Sequence, residues 1–211
     1  ILYLSSLAYG AIGEIEKIDG TVLYREQAGI PYKKSKAGLT INTGYWIKTE
    51  PKSWTIIKLI DGSKFTLSDN TELEISEYLL DKGKKNGVFY VAQGKIRATV
   101  VKITGQTTNY KVKTPTAVAG IKGTEFLMLA KGQANVFFGN ENTVYITGHD
   151  TPEKILIPDT MIQNTRGLTP AEPVKVEHGS LLEDAKKGLS MLTAAVPPKE
   201  WEISGALPNI I

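Results

Sequence analysis

From residue 12 to about residue 163, apolar and polar positions alternate in short runs separated by turn residues, the period of half-buried strands. Ile12–Ile18 runs into Asp19-Gly20, a hairpin signal, and Thr21–Arg25 follows. After a polar loop from Gln27 to Lys36, strands are predicted at 44–49, 54–60, 64–67 and 72–75, with Asp61-Gly62 turning between the second and third. A second polar loop spans 81–86 and ends in Asn86-Gly87. Further strands are predicted at 88–92, 95–103, 108–113, 124–130, 135–138, 142–147, 154–157 and 160–163. This spacing predicts an all-β domain, read as a β-solenoid or roll-like stack of short strands, with a β-sandwich as the alternative.

Helical periodicity appears once, near the end. Leu181, Leu182, Ala185, Leu189 and Leu192 share one face of a predicted short helix, and Ser180 with Glu183 forms a capping box. Pro170, Pro173, Pro197, Pro198 and Pro208 mark the surrounding region as linker and tail. The opening run Ile1–Leu7 with Ala8, Gly10 and Ala11 has the form of a signal-peptide core and its cleavage site. The expected organisation is therefore a signal remnant at 1–10, a β domain at 11–165, and a proline-marked linker, helix and tail at 166–211. Export to the periplasm or beyond follows as an expectation.

Composition narrows the chemistry. The 211 residues include no cysteine, which excludes a thiolate nucleophile and Cys-ligated metal, and only two histidines, His149 and His178. No 18-residue apolar run provides a membrane span. Neither a phosphate-binding glycine loop nor a Gly-x-Ser-x-Gly elbow is present. Glu14 and Glu16, and Glu72 and Glu74, could in principle pair for sugar cleavage, but their alternation with apolar neighbours places them on solvated faces. The chain reads as a non-enzyme without metal or cofactor. Trp46, Trp54 and Trp201, with Tyr45 and Tyr90, are the candidate aromatic platform; Trp54, at a strand start, is expected to be packed.

Charge is uneven. The formal net charge is +3, yet residues 76–133 hold ten basic and three acidic groups. Most of these cations are lysines, suited to diffuse attraction rather than base reading, so nucleic acid is not the expected partner. Lys95 and Arg97 share one face of a strand, and Lys111 and Lys113 share a face of the next. If those strands are neighbours, four cations line one exposed surface, a candidate dock for an anionic envelope polysaccharide or an envelope protein.

Gly38–Thr49, the Asp61-Gly62-Ser63 and Asn70-Thr71 turns, and above all the run Thr114-Pro115-Thr116-Ala117-Val118-Ala119-Gly120-Ile121-Lys122-Gly123-Thr124-Glu125-Phe126 together resemble the FecR family. The resemblance covers about half the chain. It implies an exported β domain, which in founding members is the periplasmic part of an anti-sigma regulator answering an outer-membrane receptor. Those members also have a cytoplasmic helical segment and a membrane span. Neither is found in these residues, so the circuit is not carried over, and the chain looks like a free-standing exported relative. Two positions depart from the family pattern: Tyr45 stands where Asp is usual, and Lys122 where Arg is usual.

Read physically, 114–123 is expected to be a tight crossing between two strands. Ala117, Ala119, Gly120 and Gly123 would be kept small for backbone contact, with Phe126 in the core. Glu125, if buried, needs a cation or backbone N–H groups as partners, and Lys122 is the nearest cation in sequence. The expected function is a non-catalytic binding or signalling module of the cell envelope, with Lys95, Arg97, Lys111, Lys113 and Lys122 at the contact. The alternative is a structural subunit of an extracytoplasmic assembly, pairing through β edges and the C-terminal tail.

Overall fold

The computed structural model describes residues 10–81, 83–105, 107–148 and 150–177. The expected signal remnant (apart from Gly10), the C-terminal helix, Trp201 and both histidines lie outside the described residues. Those residues hold seventeen strands and no helix, so no helix there is long and apolar enough to cross a membrane.

The strands pair as two runs. The first contains β1 (Gly13–Asp19), β4 (Thr40–Ile41), β6 (Trp54–Leu59) and β7 (Lys64–Leu67), and the second contains β2 (Val22–Arg25), β3 (Lys33–Lys34), β5 (Trp46–Thr49) and β8 (Glu72–Asp81). The first run is ordered β4-β1-β6-β7, and the second β3-β2-β5-β8. They meet in β9 (Lys84–Thr99), sixteen residues long. Its first part pairs with β8, and with β10 (Thr107–Lys113) in parallel. Its last part pairs with β7 and with β12 (Glu125–Lys131). The second run continues β10-β11-β14-β15, with β11 at Ala117–Ile121, β14 at Val144–Gly148 and β15 at Lys154–Leu156. The first run continues β12-β13-β16-β17, with β13 at Ala134–Glu141, β16 at Thr160–Thr165 and β17 at Val174–Lys175.

Inward side chains of both runs form one core. Phe65 of β7 meets Phe89 of β9 with ring centroids 4.2 Å apart, and Ile15, Ile47, Ile57, Leu73, Ile96, Val112, Phe126 and Ile146 join the same cluster. Burial of these side chains is the main force holding the runs together.

Three local expectations are corrected. The predicted loop at 81–86 is a hairpin end: β8 and β9 stay paired out to Asp81 and Lys84, turning at Gly83. Polar residues here alternate with inward ones, and pairing to β10 extends the strand. The predicted break between residues 92 and 95 is a bend within β9. Gly94 takes φ 107°, and a Cβ there would lie 2.4 Å from the Thr71 Cα, so only glycine fits where the strand passes from one run to the other. Third, residues 114–123 are more than a crossing, because β11 forms five paired residues inside them.

Candidate functional site

The four-cation surface expected from strand parity divides in two. Lys95 and Arg97 lie on the part of β9 that belongs to the first run, opposite Leu129 and Leu127 of β12. Lys111 and Lys113 lie on β10, opposite Val88 and Tyr90 of β9 and Gly120 and Val118 of β11. The bend at Gly94 separates the two pairs.

The first pair is neutralised. Lys95 Nζ donates to Asp69 Oδ1 at 3.0 Å, and Arg97 Nη2 donates to Glu125 Oε2 at 2.5 Å. Glu125 is buried, and it also accepts from the Thr99 hydroxyl at 3.1 Å and from Asn140 Nδ2. Its partner is therefore Arg97, 28 residues away, and not Lys122. The reason is the β9–β12 pairing, which sets Thr99 directly opposite Glu125. Burial pushes the Glu125 carboxyl up, but hydrogen bonds from Arg97, Asn140 and Thr99 outweigh it and hold the group below the usual range.

A third cation of the basic stretch is inside the protein. Lys85 has the same parity as Gly87, Phe89 and Val91 and is fully buried. Its ammonium pairs with Asp61, whose side chain is equally buried, and donates to the Val101 carbonyl at 2.5 Å and to Ser63 Oγ at 3.2 Å. Asp61 also accepts from the Ser63 amide at 3.0 Å, the Ser63 hydroxyl at 2.8 Å and the Tyr110 hydroxyl at 2.9 Å. Burial pushes Asp61 up, and the donors from Lys85, Ser63 and Tyr110 bring it below its ordinary value. Tyr110 is driven up by burial and by the Asp61 charge, so it remains a donor. The Asp-Gly-Ser turn thus anchors a buried ion pair with its partners in place, the condition under which such a pair is tolerated.

Lys111, Lys113 and Lys122 differ. All three are exposed, and among the described residues none of them pairs with a carboxylate. Lys122 follows β11, with its ammonium 5.0 Å from the centre of the Tyr145 ring. Tyr145 of β14 sits opposite Gly120, which is opposite Lys111. A Cβ at Gly120 would meet nothing closer than 3.7 Å, so backbone crowding does not explain that glycine, contrary to expectation. The outer face of the second run thereby places three unpaired cations beside Tyr90 and Tyr145.

The same face carries a cluster that strand parity did not reveal. Arg25 lies opposite Trp46, and its guanidinium sits 4.5 Å from the Trp46 ring and 4.7 Å from the Tyr32 ring. Tyr32 donates to Glu72 at 2.6 Å, and Tyr90 meets Trp46 edge-on at 6.1 Å. Only the β2–β5 register brings Arg25 and Trp46 together, and no spacing in the chain encodes it. Of the expected aromatic platform, Trp46 and Tyr90 share this face, whereas Tyr45 stacks on Tyr24. Trp54 lies in the first run, half-buried, and donates to Asp19 at 3.2 Å, so it is not a core residue. Tyr45 and Lys122, the two departures from the family pattern, each have their own ring neighbour.

The remaining signature residues build the fold. The Thr114 hydroxyl accepts from the amides of Thr116 and Ala117 at 3.2 and 2.9 Å, closing the turn from β10 to β11 with Pro115 exposed at its tip. Ala119 and Phe126 are in the core. Gly123 takes φ 96°, with the Lys102 Cβ 2.7 Å from where its own Cβ would lie. The Thr124 carbonyl accepts from the Val100 amide at 2.9 Å. Among the described residues no group of three or more His, Asp or Glu could hold a metal.

No curated protein matches the chain. A crystal structure of a proposed anti-sigma factor from Parabacteroides distasonis is similar in fold, with a TM-score of 0.50 and 17% identity over 62% of this chain and 58% of that one. A second such structure from the same organism gives 0.49 and 16%, with the same coverage. The chain thus spans less than two thirds of these structures. The FecR protein family matches residues 46–141, a stretch that includes the β9 bend, the Asp61–Lys85 pair, the three unpaired lysines and the Arg97–Glu125 pair. The family match therefore spans a little under half of the chain, and over residues 46–141 the chain is similar to the FecR protein family.

Proposed function

We propose that the chain is a non-catalytic, exported regulatory module that binds an anionic envelope polysaccharide through the outer face of its second run. The family supports the signalling part of this reading. The observation that supports the ligand class is the contrast in cation pairing: among the described residues, Lys111, Lys113 and Lys122 have no carboxylate partner and stand beside Tyr90 and Tyr145, while Lys95 and Arg97 are matched to carboxylates. Unpaired cations give long-range attraction, and the rings offer apolar surface to a sugar face. The test is binding of the full chain to an acidic polysaccharide at low and moderate salt. Lys111→Gln/Lys113→Gln/Lys122→Gln should abolish binding, Lys95→Gln should leave most of it, and salt should weaken it. Equal effects of the two variants would refute the reading.

A structural role in an assembly is the second reading. Ile155 on β15 and Val174 on β17, the last strand of each run, are about half exposed. Such edges can accept another chain. Light scattering of Ile155→Lys/Val174→Lys beside the parent tests it: a mass above the monomer in the parent, lost in the variant, is the required outcome.

A further inference from the structure

The outer face of the first run is half polar and half apolar. Near β9 it carries Thr66, Arg97 and Lys95, but further along, Leu127, Phe138 and Met161 lie in register across β12, β13 and β16, with Leu129 opposite Val136 beside them. These residues form a cluster separate from the core. An outer sheet face is ordinarily solvated, with polar residues alternating against the buried ones. Here the alternation fails: four successive residues of β12, from Glu125 to Met128, are buried. Leu127 is 0% and Phe138 1% exposed. Among the described residues, the apolar side chains packed on this cluster are Leu129 and Val176, both themselves partly exposed.

We propose that residues 180–192 of the same chain lie across this face and cover it. Val176, one residue before the end of the described chain, already packs on the cluster, so the described chain ends beside it. Those residues carry the amphipathic pattern: Leu181, Leu182, Ala185, Leu189 and Leu192 on one side, with Glu183, Lys186 and Lys187 among the others. As a helix, such a segment is about 20 Å long, enough to cross three strands spaced about 4.8 Å apart. The apolar stripe and the apolar face are each other's complement within one chain, and the linker between them is a few residues long. The segment is thereby part of the folded unit rather than a tail offered to a partner.

The absence of cysteine makes cross-linking clean. In the full chain, Met161→Cys and Val136→Cys are each combined with Leu182→Cys or Leu189→Cys, with Lys113→Cys on the opposite outer face as the control partner. Mild oxidation is expected to give an intramolecular disulfide in monomeric protein for at least one outer-face pair and none for the control. Disulfide-linked dimers would show that a second copy covers the face. No link in any pair would show that another partner does. Either result overturns the proposal. Independently, full-length Leu182→Asp/Leu189→Asp should bind a hydrophobic dye severalfold more than the parent while keeping its β-type circular dichroism, because the patch becomes exposed. Dye binding unchanged from the parent would also overturn it.

Discussion

Two regions of this protein use the same residue types for opposite ends. Where β9 crosses between the runs, every cation discussed has a carboxylate: Lys85 with Asp61, Lys95 with Asp69, Arg97 with Glu125. On the outer face of the second run, Lys111, Lys113 and Lys122 have none among the described residues. Both sets fall within one basic stretch of sequence. The difference teaches that a count of charges says little about a surface. The deciding quantity is whether the sheet register sets a carboxylate within reach, because a paired charge is largely cancelled at a distance and an unpaired one is not.

The sharpest way to break the comparison is to remove a cation from the seam. Lys85→Met leaves the Asp61 carboxylate in the interior with hydrogen bonds but no counter-ion. Loss of one partner of a buried pair costs about 3–5 kcal/mol. Urea unfolding should show a loss of that size. A Lys85→Met/Asp61→Leu double variant should recover much of it, since replacing both ions with apolar groups removes the stranded charge. A Lys85→Met protein as stable as the parent would mean that this pair is not what holds the Asp-Gly-Ser turn.

Gly123→Ala tests the seam through its backbone. At φ 96° a Cβ would press on the Lys102 side chain, and strain of this kind costs about 1–3 kcal/mol. Because Thr124 and Glu125 follow directly, the Arg97–Glu125 pair should loosen as well. The loss read from thermal unfolding should be smaller in a Glu125→Gln background than in the parent.

Acid separates the regions next. Asp61, Asp69 and Glu125 are each pushed up by burial and then brought below their ordinary values of 3.8, 3.8 and 4.5 by donors, foremost Lys85, Lys95 and Arg97. A carboxylate whose folded value is depressed adds stability that is present above its unfolded value and lost as pH falls through the folded one. Stability should therefore be level from neutral pH to about pH 5 and drop below 4.5. Glu125→Gln should be less stable at neutral pH, by about 1–2 kcal/mol, and should show a shallower acid limb. An acid limb of unchanged slope would detach Glu125 from the seam.

Much of this was legible in the chain, for definable reasons. Period-two alternation identifies most of the strands, since an inward side chain on a sheet has nowhere to be but the core. The same parity runs through Lys85, Gly87, Phe89 and Val91, so the inward lysine carried a signal. The polarity of 81–86 hides it, because those residues taken alone have the composition of a loop. Register carries no such signal. Nothing local to Glu125 points to Arg97, and nothing local to Arg25 points to Trp46, because both contacts depend on which strands become neighbours. The bend at Gly94 is the extreme case. It separates Lys95 and Arg97 from Lys111 and Lys113 through a close approach to Thr71, which is visible only in three dimensions.

The finest test sets Lys95 against Lys113, two strand lysines of outward parity on the two faces. Lys95→Gln removes a partly buried contact to Asp69 and should cost about 0.5–1 kcal/mol, the upper part of the range for such pairs. Lys113→Gln removes a solvated charge with no carboxylate partner among the described residues and should change stability by less than about 0.5 kcal/mol. In polysaccharide binding the order should reverse, with Lys113→Gln the more damaging. Stability and binding are thus expected to respond to different lysines, and the reversal cannot arise from general loss of positive charge, which both substitutions share. Equal losses in both assays would mean that register sorts these cations into pairs without sorting them into roles.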